Sequence, residues 1–355
     1  MGGSRGRLRR TYRLTMPTGL ASRCWSQRMK SAFRVFFCTA LSMCLAAKSM
    51  ALAVYPDRPV TLIVPTPPGG PLDRVSRLYA QHLQGYFGQP VVVENKVGAS
   101  GKIGVRAGLQ APRDGYTLIA VSPSIVTVNP VVDEDVGFDP LRDFEMLGMV
   151  ARNTGVVATR ADLPVSTMAE LVSYAKAHPG QLNYASFGVG TSLHLFSEEL
   201  AQTLGIALRH IPYKGESQAM HALIAGEVDL MLYVTAPVVP FVKSGRVKAL
   251  TVTTGQRWAE LPDVPSFAES GVPQLEGYTY HSWVGFLMPR DVPAQAATRL
   301  REGIAAVGRK PELRQALQDQ GFDAIESGAD AMRQTVSDEL ERNRRVVERG
   351  GIKLD

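Results

Sequence analysis

The stretch Val60-Thr61-Leu62-Ile63-Val64, followed by Pro65-Thr66-Pro67-Pro68-Gly69-Gly70 and then by Leu72, Val75, Leu78, Tyr79, Leu83 and Tyr86, decides the fold. Five β-favouring residues, four of them apolar, predict a buried strand. Proline and glycine interrupt it. Apolar residues then recur at helical spacing until Gly88-Gln89-Pro90 stops the helix. Strand, tight loop and helix in that order open an α/β unit.

The unit recurs along the chain. Val91-Val92-Val93 predicts a second strand, Gly98-Ala99-Ser100-Gly101 a loop into a short helix, and residues 116–121 a third strand. Further strands are expected at 156–158, 182–185, 209–213, 228–233 and 247–253. Thr167-Met168-Ala169-Glu170 has the form of a capping box opening a helix that ends near residues 178–180. Helices are expected at 192–204 and 217–225, and the region after about residue 293 reads as mostly helical. Strands alternating with crossover helices predict a parallel sheet covered on both faces. The apolar, aromatic run 278–288 reads as a strand recrossing between two α/β lobes. Residues 54–152 and 278–355 would form one lobe and 153–277 the other, with a hinge and a central cleft.

The 355 residues carry 39 Lys and Arg against 33 Asp and Glu, a formal charge of +6. Ten of those bases lie in residues 1–53, which contain no acid. Removing them leaves 29 against 33, a net of −4, so the body has no basic surface suited to nucleic acid. Cys24, Cys38 and Cys44 also fall in this leader, which leaves the body without disulfide, thiol or cysteine–metal chemistry. Lys30 and Arg34, an apolar core at 35–47 and Ala51-Leu52-Ala53 form a secretory signal with cleavage before Val54, and translation from Met29 would give it ordinary proportions. A thirteen-residue apolar core is too short for a membrane span, which needs about 20 residues. A mature chain that is soluble, exported and periplasmic is expected.

In an open parallel sheet, ligands bind beyond the carboxyl ends of the strands. The loops there are Thr66–Gly70, Ser122–Ser124, Ser186–Thr191, Lys214–Glu216 and Val234–Pro237, rich in Gly, Ser, Thr and Pro. Two of them, Pro67-Pro68-Gly69-Gly70 and Gly188-Val189-Gly190-Thr191-Ser192, run into helix starts, where free N–H groups and the helix dipole attract an anion. The P-loop, dinucleotide, nucleophile-elbow and HExxH signatures are all absent. No catalytic residue, cofactor or metal is expected. The six histidines are scattered, and His194 is the one nearest the expected cleft. Asp73 either complements the helix start or lines the cleft, and Lys214 reads as solvated. Ligand contacts are expected from Thr66, Pro68, Gly69, Gly70, Asp73, Ser122, Ser124, Ser186, Gly188, Gly190, Thr191, Ser192 and Tyr233.

Val64-Pro65-Thr66-Pro67-Pro68-Gly69-Gly70 with Asp73, Val92-Val93-Glu94-Asn95-Lys96, Asp114-Gly115-Tyr116-Thr117-Leu118, Tyr184-Ala185-Ser186-Phe187-Gly188-Val189-Gly190, Pro212-Tyr213-Lys214-Gly215 and Leu261-Pro262-Asp263-Val264-Pro265 carry a resemblance. In that order and spacing, from Tyr55 to Lys353, the chain resembles the extracytoplasmic receptors of tripartite tricarboxylate transporters, the Bug family. The resemblance implies a type II periplasmic binding protein of two α/β lobes, and no enzyme. It implies a monomer that closes on a di- or tricarboxylate, acidic amino acid or aromatic acid, holds it through backbone groups and water, and presents it to membrane transporter subunits. Thr66 replaces the usual phenylalanine, Lys102 the usual asparagine, and Leu232-Tyr233 the usual aromatic-Asp pair, so the particular acid does not carry over. The alternatives are an exported hydrolase or lyase, or a sensory receptor, on the same scaffold.

Overall fold

The computed structural model describes residues 55–352. The leader, including Met29, the cysteines and the cleavage motif, lies outside the described residues.

In chain order the elements are β1 (Val60–Val64), α1 (Pro71–Phe87), β2 (Val91–Asn95), α2 (Lys102–Leu109), β3 (Thr117–Val121), a π-turn Ser124–Val128 continuing as the short helix Asn129–Val132, β4 (Phe144–Arg160), α3 (Met168–Ala177), β5 (Asn183–Ser186), α4 (Ser192–Leu204), β6 (Arg209–Pro212), α5 (Glu216–Ala225), β7 (Leu230–Val234), α6 (Thr235–Lys243), β8 (Val247–Val252), β9 (His281–Pro289), α7 (Ala294–Gly308), α8 (Pro311–Gln318), β10 (Asp323–Ser327) and α9 (Ala329–Gly350).

The strands join in the order β2-β1-β3-β9-β4-β7-β5-β6, with β8 and β10 also pairing with β4. The long strand β4 is shared. Its residues 144–154 pair antiparallel with β9, and residues 149–152 pair with β10. Its residues 155–160 pair antiparallel with β7 and β8. The sheet is therefore mixed. β1, β2 and β3 are parallel, as are β5, β6 and β7, but the centre is antiparallel. This corrects the wholly parallel sheet expected from the alternation of elements. Residues 144–155 contain Glu145, Gly148, Arg152 and Asn153, which hide the first half of β4 from a search for apolar runs.

Two cores result. One packs Leu62, Tyr79, Leu118, Phe144, Phe286 and Leu300, drawn from residues 60–151 and 283–340. The other packs Tyr184, Phe196, Leu223, Met231 and Phe267, drawn from residues 156–280. Helix α1 shows how the sequence builds such a core. Leu72, Val75, Tyr79 and Leu83 form its buried stripe, and each contributes roughly 1.5–3 kcal/mol by leaving water. Gly88 ends the helix at φ 68°. Tyr79 also meets Phe286 edge-on at 5.5 Å and donates to the Val150 carbonyl at 3.1 Å, which ties the helix to β9 and β4.

Three local expectations change. The loop expected at 234–237 begins α6, whose first turn accepts Pro237 because an amide there has no helical partner to lose. β10 interrupts the helical C-terminal region. The cap at α3 forms only in part: Thr167 Oγ1 accepts from Glu170 N at 3.1 Å, but the Glu170 carboxylate reaches Ser166 N at 2.6 Å, one residue before the cap.

Candidate binding site

The first glycine loop is held by Asp73. This carboxylate is 2% exposed. It accepts from Gly69 N at 2.8 Å, Arg77 Nε at 2.9 Å and Asn95 Nδ2 at 2.8 Å. Burial raises its pKa, but the bonds from Arg77, Gly69 and Asn95 outweigh burial and hold it below the ordinary carboxylate range. Asn95 Nδ2 also donates to the Thr66 carbonyl at 3.0 Å. Asp73 is thus the staple of the loop. Both of its oxygens are engaged within the loop. Gly69, at φ 80° in open space, needs glycine for its backbone angle.

Much of the second loop is held in the same way. Gly188 N donates to Ser186 Oγ at 3.2 Å, and Thr191 Oγ1 donates to the Gly188 carbonyl at 3.1 Å. Gly190 N donates to His194 Nδ1 at 3.2 Å, and Thr191 Oγ1 caps α4 by accepting from His194 N at 3.3 Å. Ser124 and Ser192 meet across the two cores: their hydroxyls are 3.0 Å apart, and Ser192 N donates to Ser124 Oγ at 3.2 Å.

The amides of Gly69, Gly188, Gly190 and Ser192, expected to face a ligand, are therefore engaged internally, and Gly70 N reaches the Pro67 carbonyl at 3.4 Å. Among the described residues, the amides of Leu72 and Asp73 at the start of α1, and of Val189, Thr191 and Leu193 at the start of α4, have no such acceptor. Capping side chains decide which N–H groups remain, and the glycine spacing alone does not reveal that.

A cavity of about 280 Å³ lies where the two halves meet. Pro71 and Arg74 line it from α1, Asn153 from β4, Glu216 and Met220 from α5, and Tyr233 from β7. Phe187 of the second loop packs on one of these lining residues, its ring edge-on to Tyr233 at 5.1 Å. Tyr233 donates to Glu216 Oε2 at 2.7 Å, and burial followed by the Glu216 charge drives its pKa upward, so the phenol stays neutral. Of the expected contacts, Tyr233 lines this cavity directly. Pro68 is exposed at the tip of the first loop, while Thr66 Oγ1 is buried without a partner. Ser122 serves through its carbonyl, which accepts from Ile125 N at 3.0 Å and starts the π-turn. Arg74 and Asn153 were not expected, while Glu216 and Phe187 lie in the expected loops without having been singled out as contacts. Arg74 makes no ion pair among the described residues, and its side chain donates from Nη1 to the Gly69 carbonyl at 3.2 Å. Its position, three residues after Pro71 on the start of α1, was the available signal.

His194 is not alone near the site. His210 from β6 stacks on it at 4.0 Å and reaches Ser186 Oγ with Nε2 at 2.5 Å. Behind the π-turn, buried Glu339 accepts from Thr127 Oγ1 at 2.8 Å and Trp283 Nε1 at 2.9 Å, and Arg342 lies 3.5 Å from Glu199. This network fixes the turn that carries Ser124. Among the described residues no group of metal-ligating side chains occurs, and no helix is long and apolar enough to cross a membrane.

Two α/β halves sharing a strand, with a cavity between them and no assembled catalytic set among the described residues, have the form of a solute-binding protein. The chain belongs to the tripartite tricarboxylate transporter family of receptors, whose profile matches residues 75–352. It is 33% identical to a UPF0065 protein from the tcbD–tcbE intergenic region of Pseudomonas sp. strain P51, over 88% of this chain and 93% of that one. It is 31% identical to the protein BugT of Bordetella pertussis, over 87% and 94% respectively. Among solved structures it is similar to R. palustris Rpa4515 with adipate, at 33% identity and TM-score 0.72, covering 84% of this chain and 99% of that one. It is also similar to MatC of Rhodopseudomonas palustris with bound malate, at 28% identity and TM-score 0.69, covering 82% and 100%. These relatives confirm the α/β binding-protein fold and place the chain among receptors, not enzymes.

Proposed function

We propose that this protein is a periplasmic receptor that binds one small organic carboxylate between its lobes and delivers it to a tripartite tricarboxylate-type transporter. The lobes are residues 54–152 with 278–355, and residues 153–277. The observation that carries the reading is the cavity between the two halves, lined at the start of α1 by Pro71 and by Arg74, a cation without an ion pair among the described residues. A cation beside the positive end of a helix dipole at one wall of the cavity suits a carboxylate. The amides of Leu72, Asp73, Val189 and Thr191, with the Arg74 guanidinium, would hold the carboxylate. Thr66, Pro68, Gly70, Ser122, Ser124 and Tyr233 would shape the space around the remainder. The adipate and malate bound to the relatives support acids of that size. A ligand touching both lobes favours their closed arrangement, which the membrane subunits would read.

The test is calorimetry of residues 54–355 with adipate, malate, citrate, glutamate and benzoate at neutral pH. One-to-one binding, with the acid recovered unchanged, is expected for at least one. Indifference to all five, or conversion of a bound acid, would refute the reading.

A further inference from the structure

The second glycine loop has a soft backbone, with Gly188 at φ 124° and Gly190 at φ 73°. Something must hold it in one shape, and two side chains of unusual placement do. His194 is 3% exposed. Its Nδ1 accepts the Gly190 N–H, so that nitrogen carries no proton and the neutral ring bears its proton on Nε2. His210 Nε2 lies 2.5 Å from Ser186 Oγ, the same hydroxyl that receives Gly188 N. The two rings stack at 4.0 Å and 21°, and Tyr184 stacks on His210 at 4.9 Å.

We propose that His194 and His210 are positioning residues of the receptor, a neutral imidazole pair that sets the shape of the 186–191 loop and releases it when protonated. This rests on the carboxylate reading only for its consequence in binding, since the loop geometry can be read without a ligand.

Protonating His194 at Nδ1 turns an acceptor into a donor facing another donor, so Gly190 must leave. Protonating both rings places two like charges 4.0 Å apart in a partly buried site. The groups facing the pair are Tyr184 from β5 and, through the Tyr184 hydroxyl at 2.5 Å, Glu198 from α4. No carboxylate offsets the cost of charging either ring. Burial, then the His210 charge, pushes His194 down to about 4, and burial alone pushes His210 down to about 4. The loop is thus held at neutral pH and let go in acid.

The experiment follows the Gly190 amide and the histidine ring resonances by NMR from pH 7 to pH 3.5, with far-UV circular dichroism as a control for folding. In the wild type the Gly190 amide is expected to move with the midpoint of His194 while the fold persists. In His194→Asn, whose side-chain carbonyl keeps an acceptor but does not titrate, the amide should stay near its neutral-pH position throughout. In His194→Leu it should be displaced already at pH 7. Adipate affinity, compared between wild type and His194→Asn at each pH so that protonation of the acid cancels, should fall about tenfold further in the wild type below pH 5. An unmoved Gly190 amide while His194 titrates would overturn the proposal. If His194→Leu does not fold, the wild type and His194→Asn decide the matter. If adipate does not bind, the carboxylate reading loses support while the amide titration still decides the role of the histidines.

Discussion

Replacing Asp73 by alanine separates a staple from a ligand contact. The carboxylate accepts three bonds, from Gly69 N, Arg77 Nε and Asn95 Nδ2, all between 2.8 and 2.9 Å. A hydrogen bond to a charged group contributes about 1.5–3 kcal/mol. The loss is smaller than three such terms, because Gly69 is exposed and the Arg77 side chain is 51% exposed, so both donors regain water. The Asn95 amide must find a new partner beside Thr66. A net destabilisation of about 2–3 kcal/mol is expected for Asp73→Ala, and about 1–2 kcal/mol for Asp73→Asn, which keeps one acceptor. The carboxyl titrates below its ordinary value in the folded chain. Its contribution is therefore present above the unfolded pKa of about 4 and lost as pH falls through the lower folded value. Urea unfolding at pH 7 measures the cost, and calorimetry on the folded variant measures affinity. If Asp73→Asn left stability unchanged and abolished binding, the carboxylate would be a ligand contact and the staple argument would be wrong.

Other perturbations isolate the remaining parts. Arg74→Met removes a cation that supports no ion pair, so affinity for the bound acid should fall about tenfold, about 1.4 kcal/mol, with a thermal midpoint close to wild type; calorimetry and a thermal scan on one sample check both. Gly188→Ala meets no neighbouring atom but forces an alanine to φ 124°, and a stability loss of about 1–3 kcal/mol by urea unfolding is expected from backbone strain alone. The folded pKa values near 4 for His194 and His210 lie below the unfolded value of 6.5. Between those values the unfolded chain takes up protons that the folded chain refuses. Stability should fall as pH drops from 6.5 to 4 and level off below, by on the order of 3–5 kcal/mol for the pair once solvent around half-buried His210 is allowed for; a denaturant series across that range tests the sign.

The legible parts of the sequence were those where local pattern and tertiary role agree. The β1–α1 unit announced itself because strand burial, loop chemistry and helical spacing all change within thirty residues. Strand β4 did not, since it satisfies its backbone against four partners and tolerates Glu145, Arg152 and Asn153 along its length. The same division runs through the site. Glycine and proline marked both loops, because positive φ and missing N–H groups are properties of single residues. His210 gave no signal and Glu216 gave only its place in an expected loop, for their roles come from neighbours that fold beside them: Ser186 and His194 for one, Tyr233 for the other.

The capping pattern also explains how occupancy and lobe position can be coupled. At the start of α4, the chain fills its own outermost donor with Ser124, a residue from the opposite half. Any ligand oxygen that takes the Ser192 amide must displace the Ser124 hydroxyl, and the π-turn carrying Ser124 is pinned to α9 through Thr127, Glu339 and Asn343. Glu339 is buried, with Trp283 of β9 as its second donor, so the turn cannot shift without disturbing a strand that pairs with β4. A hydroxyl therefore occupies a donor that a carboxylate would bind more strongly, because charge-assisted bonds are roughly twice as strong as neutral ones. In the proposed receptor, exchange of one for the other would supply a differential interaction at the contact between the halves, which is what a ligand needs in order to shift an equilibrium between two arrangements.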